Sequence, residues 1–374
     1  MRLRLRPGYT VFSGLCLMCI RVDTKRYDTI MTLDSACHKI FRISSRTTAN
    51  TYICSRNHAT KLLYKMISRR NIRVKVMQTL YTMEAQEQSM KPGEPARILQ
   101  KHFDQTRQLL SYLIYLVIEI ARYAETDSRL RASKHLPSEA DLHVNIKLAG
   151  NEWLWKILED ASLKKAFETD KPQLQENKEL IRRLYLELAA TEEYKNYVKV
   201  QGRDKKAERD ILEFIFAGLV MPSEHFQSHI EECFTNWDDD GEMISQIVMS
   251  YLSKPGSIPF QEIISKEKAD FARLLLQTVV EKKEVVMDMI RPRLKNWDAE
   301  RIATLDMILM QMGVVEFLYF ETIPPKVSIN EYIDLAKDYS TPQSGQFVNG
   351  ILDNIHKELV KEDKMHKVDF RTNL

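Results

Sequence analysis

The chain has 374 residues, 44% hydrophobic and 29% charged, with 11 Gly, 12 Pro and 5 Cys. That balance excludes a disulfide scaffold, a fibrous repeat and a disordered chain, and the scarcity of Gly and Pro disfavours sandwiches and propellers. The net charge of +3 conceals a split: residues 1–65 carry 12 Lys/Arg against 3 Asp/Glu, and residues 66–374 carry 43 against 49. The body is mildly acidic, so any binding of anions must rest on local basic clusters.

The first 65 residues differ in kind from the rest. They hold Cys16, Cys19, Cys37 and Cys54, leaving Cys233 alone in the body. A body with one Cys has no disulfide framework and suits a reducing cytoplasm. The segment is rich in Arg and Ser and poor in acids, like an organelle transit peptide. Arg2, Arg4 and Arg6 before residues 11–20 sketch a secretory leader, but no small-residue cleavage site follows. Cys16 and Cys19 have zinc-knuckle spacing, whereas Cys37, Cys54, His38 and His58 are scattered. The preferred expectation is a disordered or non-native upstream extension, because helical grammar starts at Met66.

Residues 67–88 read as one helix. Ile72, Val76, Leu80 and Met83 form a stripe, with Met77 and Tyr81 beside it. Lys91-Pro92-Gly93-Glu94-Pro95 ends it. Residues 96–124 form a second helix, apolar on much of its surface and therefore buried. Residues 127–260 contain charged helical stretches at 139–148, 152–167, 173–198, 205–219, 223–234 and 242–252, and read as a helical insertion. No phosphate loop, dinucleotide fingerprint, zincin motif or nucleophile elbow occurs there. A long helix is expected at 262–290, with Phe271, Leu274, Leu275, Thr278, Val285 and Met289 inside. Asn296 or Asp298 caps a central helix at 299–320. Ile323-Pro324-Pro325 breaks the chain before 326–339. Ser340 or Thr341 caps the last helix, with Pro342 first in it, running to 360. No run spans a membrane: residues 109–121 are the longest apolar stretch and are interrupted by Ser111 and Glu119.

Two blocks together resemble the NusB family of bacterial transcription antitermination factors. Ser68-Arg69-Arg70-Asn71-Ile72-Arg73, continuing to Gln78-Thr79-Leu80-Tyr81, is similar to that family's arginine-led first helix. Residues 297–352 carry Trp297, Arg301, Asp306, Glu316, Ile323-Pro324, Ile329-Asn330-Glu331, Ala336-Lys337 and Phe347-Val348-Asn349-Gly350. The long insertion resembles the enlarged members found in Bacteroidetes-type bacteria. The resemblance implies an all-α fold of two small three-helix bundles, here with a long helical insertion. The expected division is an extension at 1–65, first helices at 66–126, the insertion at 127–260, the C-terminal core at 261–362 and a tail at 363–374. It also implies binding of the boxA element of ribosomal RNA leaders with NusE, a small-subunit ribosomal protein, in the transcription elongation complex. A homodimer is left open.

Arg69, Arg70, Arg73 and Lys75 stand at a helix start, where positive charge opposes the macrodipole unless an anion is met. They are candidate phosphate contacts; the plainer alternative is a solvated helix end. Arg73 lies on the apolar side, so its stem must run along apolar surface before its head reaches water. Gln78 can read a base edge and Tyr81 can stack on one, or Tyr81 packs in the core. Gln343, Ser344, Gln346, Phe347 and Asn349 begin the last helix and, by resemblance, complete the RNA surface. Gln343 stands where many relatives carry an acid. Phe347 serves either stacking or packing with Ile351 and Ile355. Gly350 suits a close helix crossing. Asp306, in an otherwise apolar helix, is placed by resemblance on the NusE-binding face, or it pairs internally with Arg301 or stands exposed on a solvated edge. Glu316 and Lys326 join it as partner-face candidates, although Glu316, Asn330 and Glu331 equally suit internal polar contacts.

No catalytic constellation is recognisable, and no cofactor or metal is expected. His225 and His229 alone have helical ligand spacing, beside an acidic stretch that suits an exposed face. The reading is a cytoplasmic, non-enzymatic, RNA-binding antitermination factor. One rival is an RNA cytosine methyltransferase, disfavoured because no Gly-rich turn for the methyl donor is present. The other is a helical scaffold that binds no RNA and works through the insertion.

Overall fold

Ser68 opens the first helix by accepting the Asn71 amide on its hydroxyl. The computed structural model describes residues 67–86, 91, 93–294 and 302–368. The extension at 1–65 with its cysteines and histidines, Met66, Pro92, Asn296, Trp297, Asp298, Arg301 and residues 369–374 lie outside the described residues. No strand occurs among the described residues, and the fold is all-α.

Helix α1 (Arg69–Ala85) is followed by α2 (Glu94–Ala132), which starts after Gly93 in the left-handed region at φ +82°. Its 39 residues give α2 a length of about 58 Å. The insertion comprises α3 (Glu139–Leu142), α4 (Glu152–Glu159), α5 (Ala161–Asp170), α6 (Lys178–Ala190), α7 (Glu192–Lys199), α8 (Lys205–Phe214), α9 (Glu224–Cys233) and α10 (Trp237–Ser253). These are shorter than periodicity predicts. Asp160 ends α4 and caps α5, and Thr191 ends α6 and caps α7, each accepting a backbone amide of the next helix. Short polar side chains compete for backbone groups in this way, and two expected helices become four. A π turn over Ile215–Val220 prolongs α8.

The C-terminal part holds α11 (Lys266–Glu281), α12 (Lys283–Ile290), α13 (Thr304–Tyr319), α14 (Pro325–Tyr339) and α15 (Ser344–Lys361). The single helix expected at 262–290 is broken at Lys282. Its apolar stripe also differs from expectation: Leu274 and Val285 are exposed, while Leu276 and Val286 face inward. The last helix starts at Ser344, two residues beyond Pro342.

Helices α13, α14 and α15 pack mutually, as do α1, α2 and α11, and α1 and α11 both lie on α13. Helix α2 is the shared spine: besides α1 and α11 it carries α3, α5, α6 and α10 of the insertion. Gly350 does not mark a helix crossing; it is exposed, and a Cβ there would meet open space. The close approach is at Gly313, where a Cβ would lie 2.8 Å from Leu352 Cδ2. No described helix is long and apolar enough to cross a membrane.

Candidate nucleic-acid interface

The four cations at the start of α1 divide into two kinds. Arg69 is exposed; its Nη2 donates to Glu267 Oε1 at 2.7 Å, and its guanidinium lies over the Phe271 ring. Arg70 Nη2 donates to Asp338 Oδ2 at 2.8 Å on the opposite flank. Acids from α11 and α14 thereby offset the unfavourable charge at this helix start. Both pairs reach solvent, where ion pairs exchange at little cost.

Arg73 corrects an expectation. Its head does not reach water: the residue is 2% exposed, and Nε and Nη2 donate to Glu316 Oε1 and Oε2 at 2.7 and 3.1 Å. Ser328 and Tyr332 hydroxyls donate to the same carboxylate, at Oε2 and Oε1. Burial opposes the Arg73 charge, but the Tyr332 and Glu316 oxygens around it outweigh that, and its pKa is raised. Burial, reinforced by the Glu316 charge, holds the Tyr332 phenol well above its ordinary value, so it stays protonated and donates. Glu316 is wholly buried and internal in this chain, with no surface to offer a partner.

Lys75 is corrected in the same way. It is 2% exposed, and its Nζ donates to Asp240 Oδ2 at 2.8 Å. Thr106 Oγ1 of α2 and Asn236 Nδ2 donate to that same oxygen, each at 2.7 Å. A buried ammonium needs a buried acceptor, and the start of α10 supplies it. Neither Arg73 nor Lys75 is available to phosphate.

Gln78 and Tyr81 lie one turn further along α1. Gln78 Nε2 donates to Asp239 Oδ2 at 2.6 Å, and Tyr339 OH donates to Oδ1 of the same residue. Tyr81 is 50% exposed and is not a core residue. Both border a cleft of about 810 Å³ whose lining includes His102 and Gln105 of α2, Asn236 and Asp239 from the insertion, and Tyr339.

At the start of α15, Gln343, Gln346 and Asn349 are exposed, and Phe347 is half-buried against the core. Ser344 is buried, which removes it from the exposed edge: its Oγ donates to Asp306 Oδ2 at 2.7 Å and accepts the Thr341 amide. Asp306 is correspondingly 5% exposed, and its Oδ1 has no hydrogen-bond partner among the described residues. It anchors the start of α15, and a lysine placed there would disturb folding before it disturbed docking. Its expected internal mate, Arg301, lies outside the described residues. Lys326 is exposed, and Glu331 pairs with Arg73 and Arg70.

His225 and His229 do not converge on a metal. His225 pairs with Arg183, and His229 Nε2 meets Tyr112 OH at 2.6 Å. No cluster of three His, Cys, Asp or Glu able to hold a metal occurs among the described residues. Sequence reasoning missed Asn236, Asp239, Asp240 and His102. The acidic run Asp238–Asp240 belongs to no recognisable motif, and the signal at hand was its buried neighbour Trp237.

The NusB family model matches residues 239–357, starting inside α10 and ending within α15. The chain is 42% identical over 98 residues to the transcription antitermination protein NusB of Salinibacter ruber, covering 26% of this chain and 61% of that one. It is 38% identical over 112 residues to the protein of that name in Chloroherpeton thalassium, covering 30% and 53%. It is 46% identical over 83 residues to that of Methylacidiphilum infernorum, covering 22% and 58%. The chain thus spans between 53% and 61% of the length of these relatives. The solved structure of T. maritima NusB is 30% identical, covers 36% of this chain and 86% of that one, and superposes with a TM-score of 0.26.

Proposed function

We propose that this chain, which belongs to the NusB family, is a non-catalytic RNA-binding factor of transcription antitermination. It takes boxA-like single-stranded RNA of ribosomal leaders together with NusE, as part of the transcription elongation complex. The observation that carries this reading is the family match over residues 239–357. The exposed polar edge at Gln343, Gln346 and Asn349, with Phe347 half-buried beside them, falls within that segment.

The surface suits the task chemically. Arg69 and Arg70 sit at a helix start and are held by exposed acids that a phosphate can displace. Tyr81 offers an exposed ring for stacking, the usual way in which an unpaired base is bound. Asp306 and Lys326 remain the residues assigned to the NusE side, with Asp306 acting by fixing the start of α15 rather than by touching the partner. The chain works in the cytoplasm as the RNA-facing member of a pair.

The test is a titration of fluorescein-labelled boxA-like RNA with the full chain, alone and with purified NusE. The reading predicts salt-dependent binding that tightens when NusE is added. A helical scaffold without RNA function would show no binding in either arm, and that result would sink the reading.

A further inference from the structure

Beyond the C-terminal end of α2 two stretches of chain come together. Asn145 Nδ2 donates to the Val198 carbonyl at 3.3 Å, and Lys147 Nζ donates to the Tyr197 and Val200 carbonyls, each at 2.8 Å. Lys147 thereby closes the C-terminus of α7, whose last carbonyls have no partner within the helix. Gly150 admits Arg203, whose Nη2 would lie 2.9 Å from a Cβ there. On the other side α3 packs on α2, and Lys134 Nζ donates to Asp141 Oδ1 at 2.7 Å. Caps and cross-links thus hold a tip formed by residues 128–148 and 195–206.

That tip is apolar on its outside. Leu136 is 85% exposed, and Leu130, Leu142, Ile146 and Val200 are exposed as well. Single exposed apolar residues are ordinary, but several on one held surface mark a place that another molecule covers. Charge narrows the kind of molecule. The two stretches carry nine Lys/Arg against three Asp/Glu, in a body that is otherwise acidic. Of the three acids, Asp141 holds Lys134 and the Ser138 amide, and Asp204 accepts the Ala207 amide at the start of α8, which leaves Glu139. Flanking acids are spent in the same way: Asp127 on Arg131, Glu192 on Lys195 and Glu208 on Arg203. Lys199, Lys205 and Lys206 are exposed and form no ion pair among the described residues.

Such a surface attracts an anion that also has apolar groups to bury. RNA fits the charge but not the rest. No Phe, Tyr or Trp of the two stretches is exposed, Tyr197 being buried, and Leu, Ile and Val offer a base no ring to stack on. A second copy would set cation against cation. We infer that the tip docks an acidic amphipathic segment of a partner protein. The apolar stripe of that segment covers Leu136, Leu142, Ile146 and Val200, and its carboxylates meet Lys199, Lys205 and Lys206. The tip lies wholly outside residues 239–357, which match the family model, and shares no residue with the RNA edge. The insertion thereby gives the chain a protein-docking arm separate from RNA binding.

The test uses the full chain and a fluorescein-labelled peptide of about 20 residues, with Leu at helical positions i, i+3, i+4 and i+7 and Glu elsewhere. Its controls are the same residues in scrambled order, polyglutamate, oligouridylate and phosphatidylglycerol vesicles. The parent chain should bind the amphipathic peptide at least about tenfold more tightly than the scrambled peptide or polyglutamate. Leu136→Ser/Leu142→Ser/Ile146→Ser should weaken that binding about tenfold, and Lys199→Glu/Lys205→Glu/Lys206→Glu should do the same and abolish its salt dependence. Both triple variants change exposed residues and should keep the parent melting temperature. Absence of peptide binding, equal binding of the scrambled peptide, or undiminished affinity in either variant overturns the docking surface. Tighter binding of oligouridylate or of the vesicles, lost in the lysine variant, assigns the surface to that anion and overturns it equally. The affinity for boxA-like RNA should be the same in both variants as in the parent, so failure here leaves the RNA reading untouched.

Discussion

Two buried cations two positions apart on one helix meet opposite fates. Arg73 enters the C-terminal core, where both Glu316 oxygens are saturated by the guanidinium and by two hydroxyls. Lys75 enters the insertion, where Asp240 Oδ2 takes three donors but the adjoining Asn236 and His102 keep open atoms. A closed polar cluster fixes a fold, because any further ligand would have to break it. An open one leaves buried polar atoms whose cost the surrounding packing must offset. The contrast separates a saturated cluster from an unsaturated one, although both draw on the same stretch of α1.

Removing a partner from the closed cluster should have the largest effect. Arg73→Ala leaves Glu316 buried without its cation and should cost about 3–5 kcal/mol in urea unfolding. A loss below about 1 kcal/mol would show that the pair behaves as a surface bridge. Lys75→Met keeps volume where Arg73→Ala also opens a cavity, and Asp240, like Glu316, retains two neutral donors, so the loss should be smaller, about 2–3 kcal/mol. An equal or greater loss than in Arg73→Ala would reverse the ranking of the two clusters.

The glycines sharpen the same contrast between packed and open surface. Gly313→Ala would press a methyl onto Leu352 and should cost about 1–3 kcal/mol, moderated because the clashing atoms end a flexible side chain. Gly350→Ala meets nothing and should add up to about 1 kcal/mol in helix propensity. If thermal melts give both changes the same sign, the helix crossing is misplaced.

What was legible in the sequence was local. The stripe Ile72, Val76 and Leu80 is buried as the 3.6 period demands, and Pro325 stands at the first turn of α14. The polar contacts were not legible, because their partners are remote: Glu316 lies 243 residues from Arg73 and Asp240 lies 165 from Lys75. Spacing placed Arg73 correctly on the apolar side but could not supply the carboxylate that waits there. Asp306 failed for a related reason, since its mate Ser344 belongs to another helix. Gly350 was misread because a helical glycine announces missing bulk, not whether a neighbour fills the space. The contacts of Asp240 with Lys75, Thr106 and Asn236 join the insertion to α1 and α2, and no motif announces a cluster assembled across several helices.

The most direct measurement is the slope of log K against log salt for boxA-like RNA, taken for the parent, for Arg69→Ala/Arg70→Ala and for Arg73→Ala. Exposed arginines that each meet a phosphate contribute about 0.7 to the slope on a single strand, so the double variant should lose about 1.4. Its stability should change by less than about 1 kcal/mol, as both ion pairs are exposed. Arg73→Ala, measured where it is folded, should keep the parent slope, since its guanidinium is sealed against Glu316. Binding whose salt slope is indifferent to Arg69 and Arg70, or that drops with Arg73 instead, would contradict this account.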